Sequence, residues 1–89
     1  MPYLIVRQKV ADFETWYSVF RSHDEAQRNA GFTDLQLLRD AWDPNVVVCI
    51  FKIANIERAK AFTESHDASK AQVESGVIGT PDVLLLDEM

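Results

Sequence analysis

A single cysteine, Cys49, occurs among the 89 residues, so an intrachain disulfide is excluded. It stands inside the apolar run Val46-Val47-Val48-Cys49-Ile50-Phe51, where a thiol packs as a small hydrophobe, and a buried free thiol suits a reducing cytoplasm. Positive charge is scarce as well. Nine Lys and Arg against fourteen Asp and Glu leave a net charge of −5, and no stretch concentrates the basic residues. Affinity for nucleic acid rests on clustered Lys and Arg, so no nucleic-acid partner is expected. Long apolar runs are missing: the N-terminus offers only Leu4-Ile5-Val6 before Arg7, too short for a signal peptide or a membrane span. Repeats and low-complexity segments are absent, as are a glycine-rich phosphate loop, a nucleophile elbow and a nucleotide fingerprint. No His-x-x-x-His, cysteine pair or carboxylate cluster supplies a closed ligand set. Neither a metal nor an organic cofactor is expected.

What is present fits one small folded unit spanning residues 1–89, since a chain of this length buries only roughly two-thirds of its unfolded surface. Pro2 to Val10 is rich in β-formers and alternates Tyr3, Ile5, Arg7, Lys9 against Leu4, Val6, Gln8, Val10, which predicts a first strand. Asp12 offers a side-chain cap to a helix running to about Ala30, where Gly31 is placed to end it. Within that helix Phe13, Trp16, Tyr17, Phe20, His23, Asp24 and Gln27 share an arc of about 120°. The face is aromatic at its start and polar at its end. Thr33 to Asp40 and Asn45 to Ile53 read as a hairpin around Asp43-Pro44. Asn55 caps a second helix with Ile56, Ala59, Phe62, Thr63 and His66 on one side, and a short third helix restarts at Ser65 or Asp67 and ends at Gly76. Val77 to Pro81 is expected as a loop before a last strand, Asp82 to Asp87.

The order strand, helix, hairpin, helix, strand is the split β-α-β arrangement, so the predicted class is α+β, ferredoxin-like β-α-β-β-α-β. Right-handed crossovers put the helices on one face of a four-stranded antiparallel sheet. The hairpin's second strand is apolar on both sides, with Val47, Cys49 and Phe51 on one and Val46, Val48 and Ile50 on the other. One helical layer covers one side only, and a second copy of the sheet about a two-fold axis covers the other. A homodimer through the helix-free face is therefore expected.

The segment Tyr3-Leu4-Ile5-Val6-Arg7-Gln8-Lys9-Val10-Ala11-Asp12-Phe13, with Trp16, Phe20, His23, Gly31, Arg39-Asp40, Asp43-Pro44-Asn45, Ala59-Lys60-Ala61-Phe62, Ser65 and Gly76-Val77-Ile78-Gly79-Thr80-Pro81, resembles the small bacterial dimeric α+β barrel proteins related to the antibiotic-biosynthesis monooxygenases. The similarity spans nearly the whole chain, and its motifs are caps, turns and core positions. It implies the fold more than a function. The superfamily includes cofactor-independent monooxygenases, lactone isomerases, polyketide cyclases and haem-degrading enzymes, and a fold hosting many chemistries does not choose among them. The haem-degrading branch uses an Asn on its first strand with a Trp and a haem-ligating His; Arg7 and Gln8 stand on this strand instead, which disfavours haem degradation.

His23 stands out as a catalytic candidate, because imidazole takes and gives a proton near neutral pH, and Asp24 beside it is the candidate orienting partner. The competing reading is a hydrogen-bonded histidine at the edge of the core. Trp16, Phe20 and Phe62, with His66 on the second helix, are candidate ligand-binding residues for a small apolar or aromatic molecule; an ordinary aromatic core is the alternative. A metal shared by His23 and His66 is not expected, because each lies late in one of two antiparallel helices. Arg39 suits a carboxylate or an ion pair across a dimer, and Trp42 in the hairpin turn suits a dimer contact or a pocket lid. Two functional readings follow: a small-molecule-binding domain acting as a cofactor-independent monooxygenase, isomerase or cyclase, or a non-catalytic stress-response or dimerisation module with a filled core.

Overall fold

The computed structural model describes residues 2–89, with side chains throughout except at 66–68. Eight elements follow one another: β1 (Tyr3–Val10), α1 (Phe13–Ser22), α2 (Asp24–Asn29), β2 (Phe32–Arg39), β3 (Val46–Ile53), α3 (Ile56–Thr63), α4 (His66–Glu74) and β4 (Val77–Leu86). The strands form one antiparallel sheet in the order β2-β3-β1-β4, the arrangement expected of a ferredoxin-like fold. Among the described residues, no helix is long and apolar enough to cross a membrane.

Local chemistry starts the helices where the sequence places them. The Asp12 carboxylate accepts from the Thr15 amide at 3.1 Å and from its hydroxyl at 2.7 Å, and these bonds, the hydroxyl first, hold its pKa below the usual carboxylate range. Asn55 caps α3 by accepting from the Arg58 amide at 3.0 Å. In the hairpin turn the Asp40 carboxylate accepts from the Trp42 amide at 2.7 Å and the Asp43 amide at 3.0 Å, which lowers its pKa too.

Three boundaries differ from expectation. The helix capped by Asn55 ends at Thr63, with Glu64 as its C-cap, so His66 opens α4 instead of lying late in that helix. The first helix does not run unbroken to Ala30. At His23 (φ −99°, ψ 9°) the chain turns, and the His23 amide donates to the Phe20 carbonyl three residues back, closing α1 before Asp24 and Glu25 open α2. The last strand begins at Val77, five residues before Asp82, because Val77 and Ile78 pair with Val10 and Lys9. The ladder resumes at Asp82 opposite Arg7. Gly79, Thr80 and Pro81 therefore bulge out opposite Gln8 alone, where Gly79 takes φ +71° and Pro81 needs no ladder donor.

The core lies between helices and sheet. Leu4 and Val10 of β1, Val47, Cys49, Phe51 and Ile53 of β3, Phe32 of β2, Trp16 of α1 and Ala59 of α3 are buried. Residues paired across antiparallel strands share a face, so the opposite side of the sheet carries Ile5, Ile50, Val48, Leu38, Ile78, Leu84 and Leu86. Leu38, Ile78, Leu84 and Leu86 are each between 42% and 51% exposed. An apolar surface thus remains in contact with water within one chain.

Candidate functional site

A cavity of about 520 Å³ lies between the helices and the sheet. Its floor comes from the inward residues of β1 and β3, including Leu4, Val6, Cys49 and Phe51. One side is aromatic because α1 places Trp16 and Phe20 four residues apart, on the same face, with ring centroids 4.9 Å apart. Phe20 approaches Phe51 at 6.3 Å, and Phe32 stands between Phe51 and Phe62 at 5.1 Å from each, so the rings form a continuous wall from α1 to α3.

Polar groups enter from different elements. His23 lines the cavity from the turn between α1 and α2, Gln27 from α2, Gln8 from β1 and Gln72 from α4. All four are half-buried. Among the described residues none of these side chains has a hydrogen-bond partner. An imidazole at the edge of an apolar cavity, without a partner among the described residues, can donate to or accept from a bound molecule or water.

The structure brings His23, Trp16, Phe20 and Phe62 together around this cavity. Asp24 is directed elsewhere: its carboxylate lies 3.1 Å from Arg28 Nη2 within α2, and it does not line the cavity. The side chain of His66, the remaining candidate, lies outside the described residues, and so does the question of a metal shared with His23. Among the described residues no three His, Cys, Asp or Glu side chains are grouped to hold a metal ion. The Cys49 thiol borders the cavity, but burial pushes its pKa up to about 12, so at neutral pH it is a thiol and not a nucleophilic thiolate.

Other residues considered from the sequence have local roles. Arg39 stacks its guanidinium 3.8 Å from the Phe13 ring centroid and donates from Nε to the Pro44 carbonyl at 3.0 Å. Arg7 and Lys9 lie on the helix-free face, 3.4 Å from Asp82 and 3.5 Å from Asp43. Trp42 is 94% exposed at the hairpin tip and does not line the cavity. The sequence places Gln27 with His23 on the polar end of the inner helical face, while Gln8 and Gln72 are not among its candidate site residues. A signal existed for Gln8, the one polar residue in the inward series Leu4, Val6, Gln8, Val10; none existed for Gln72.

No protein-family model and no curated protein sequence matches the chain. Solved structures do. A protein from Bordetella bronchiseptica, provisionally described as an antibiotic biosynthesis monooxygenase, superposes with a TM-score of 0.79 at 13% identity, covering 99% of this chain and 96% of that one. A protein of the same provisional description from Nitrosomonas europaea gives a TM-score of 0.72 at 19% identity over 100% and 99% of the two chains. A mutant of SnoaB, a cofactor-independent oxygenase from Streptomyces nogalater, gives 0.73 at 19% identity over 98% and 91%. At such identities it is architecture that is shared, and the chemistry of a fold lives in its site. The chain has the ferredoxin-like α+β fold of the antibiotic biosynthesis monooxygenase structures, the architecture its sequence resemblance implies.

Proposed function

We propose that this protein binds a small, partly apolar or aromatic molecule in the cavity between helices and sheet, and that His23 transfers a proton to or from it. The observation carrying this reading is an open space of about 520 Å³ with an aromatic wall and, at its edge, an imidazole without a partner among the described residues. A cleft of this volume, open to solvent and lined mostly by apolar side chains, favours a binding site over a module whose helices close fully on the sheet. Cofactor-independent oxygenation, isomerisation and cyclisation share a first requirement, removal of an acidic proton from the substrate in a water-poor site, and imidazole meets it near neutral pH. The SnoaB likeness favours oxygenation among the three. Asp24, held by Arg28, acts at most on the surroundings of His23. The working form in this proposal is a cytoplasmic homodimer joined through the helix-free sheet face, supported by the exposed Leu38, Ile78, Leu84 and Leu86 and by the buried Cys49 thiol.

Mass spectrometry of molecules released on denaturing the purified protein, together with the His23→Ala variant, tests the proposal. A released apolar compound whose retention or turnover is lost in His23→Ala, with the melting temperature unchanged, is the expected result. If instead the variant melts several degrees lower, as a loss of about 1–3 kcal/mol produces in so small a domain, and binding is untouched, His23 is a core residue and the non-catalytic reading stands.

A further inference from the structure

We propose that the cavity selects an uncharged ligand, whose polar edge is read by the carboxamides of Gln8, Gln27 and Gln72; this rests on the reading of the cavity as a binding site. The three glutamines come from β1, α2 and α4, elements far apart in sequence, and converge on one space. Each carboxamide carries two donors and one acceptor oxygen and no charge. Gln8 occupies a core-facing place, paired across the sheet with the fully buried Val47, where a leucine or valine would pack without desolvating a polar group. A half-buried amide there, without a partner among the described residues, is open to a bound molecule or water.

The charges around the cavity point the same way. Among the described residues, the ionisable side chains lining it apart from His23 are Cys49, a neutral thiol at neutral pH, and Lys70 and Glu74. These last two face each other at 3.8 Å and stay 67% and 52% exposed, so the one lysine seen at the rim stands in solvent beside a carboxylate and not inside the cavity. Among the described residues, a carboxylate or phosphate inside would meet no lysine or arginine but Lys70 at the rim, in a chain that already carries a net charge of −5. Among the described residues, a cationic ligand would meet no carboxylate but Glu74, which already faces Lys70. Neutral donors and acceptors above an apolar floor fit a molecule with hydroxyl, carbonyl or amide groups along one edge.

Three probes of one shape decide the matter: naphthalene, 2-naphthol, which is neutral at neutral pH, and the anionic 2-naphthoate, each titrated against the full chain by calorimetry. We expect 2-naphthol to bind at least about tenfold more tightly than 2-naphthoate, and more tightly than naphthalene. Gln8→Leu and Gln72→Leu should each weaken 2-naphthol by roughly three- to tenfold, the loss of one hydrogen bond, without weakening naphthalene. Gln8→Lys, which places a cation at the same reach, should bring 2-naphthoate to the affinity of 2-naphthol or above. Equal binding of 2-naphthol and 2-naphthoate to the unaltered chain, or leucine variants that bind 2-naphthol normally, overturns the selection by glutamines and leaves the cavity a binding site. Failure of all three probes to bind removes the binding site itself, and this inference with it.

Discussion

Replacing Leu84 with aspartate asks whether a second copy covers the helix-free face. Leu84 lies on β4 opposite Ile5, is 51% exposed, and shares its face with Leu38, Ile78 and Leu86. Burying a whole leucine contributes about 1.5–3 kcal/mol, so covering its exposed half is worth roughly 1 kcal/mol. Under two-fold symmetry every interface residue occurs twice, and the substitution therefore removes about 2 kcal/mol per dimer, about thirtyfold in Kd. Aspartate adds more than this loss. Two carboxylates would be taken from water into an apolar interface between chains of net charge −5, at a further cost of several kcal/mol, so the dimer should dissociate by about a thousandfold or more in Kd. In a lone protomer the same position stays in contact with water, so the fold should tolerate the change. Sedimentation equilibrium over a range of micromolar concentrations measures the outcome. The unaltered chain should sediment at twice its 10.1 kDa mass and Leu84→Asp at the single mass, with the same far-ultraviolet circular dichroism. A monomeric unaltered chain, or a variant with unchanged Kd, would refute the reasoning.

Gly31 takes φ +88°, and an added Cβ would lie 3.0 Å from the Ala54 Cβ, so Gly31→Ala should cost about 1–2 kcal/mol or more and lower the melting temperature by roughly 5–15 °C. An unchanged melting curve would contradict this. Removing the α3 cap with Asn55→Ala should cost about 1 kcal/mol, visible as an urea midpoint shift at constant slope. The Cys49 thiol ionises near 9 in the unfolded chain and at about 12 in the folded one, so only the unfolded state sheds this proton between those values. Its contribution is therefore fully present below about pH 9 and falls by up to about 1.4 kcal/mol per pH unit above it. The stability difference between the unaltered chain and Cys49→Ala should shrink with pH over that window, and a difference independent of pH would sink the assignment. In the same molecule, thiol reagents at neutral pH should label Cys49 only after unfolding.

Alternation and capping are short-range properties, and what depends on them was legible in the residues. The inward series of β1 and β3 separates the buried from the water-facing side of the sheet, because side chains alternate along a strand whatever its neighbours do. Asp12 and Asn55 mark helix starts because an extended residue with a short polar side chain can satisfy free amides locally. The aromatic wall of the cavity follows from the four-residue spacing of Trp16 and Phe20. Other features needed contacts between distant parts of the chain. Val77 and Ile78 become strand only by pairing with Val10 and Lys9, a partnership that the intervening Gly79 and Pro81 hide in the sequence. The turn at His23 shifts the helical phase, so that Asp24 opens a new helix and meets Arg28 instead of continuing the inner face. The meeting of Gln8, Gln27 and Gln72 around one space is decided by the sheet order and the crossover of the helices, since no local rule relates residues so far apart in the chain.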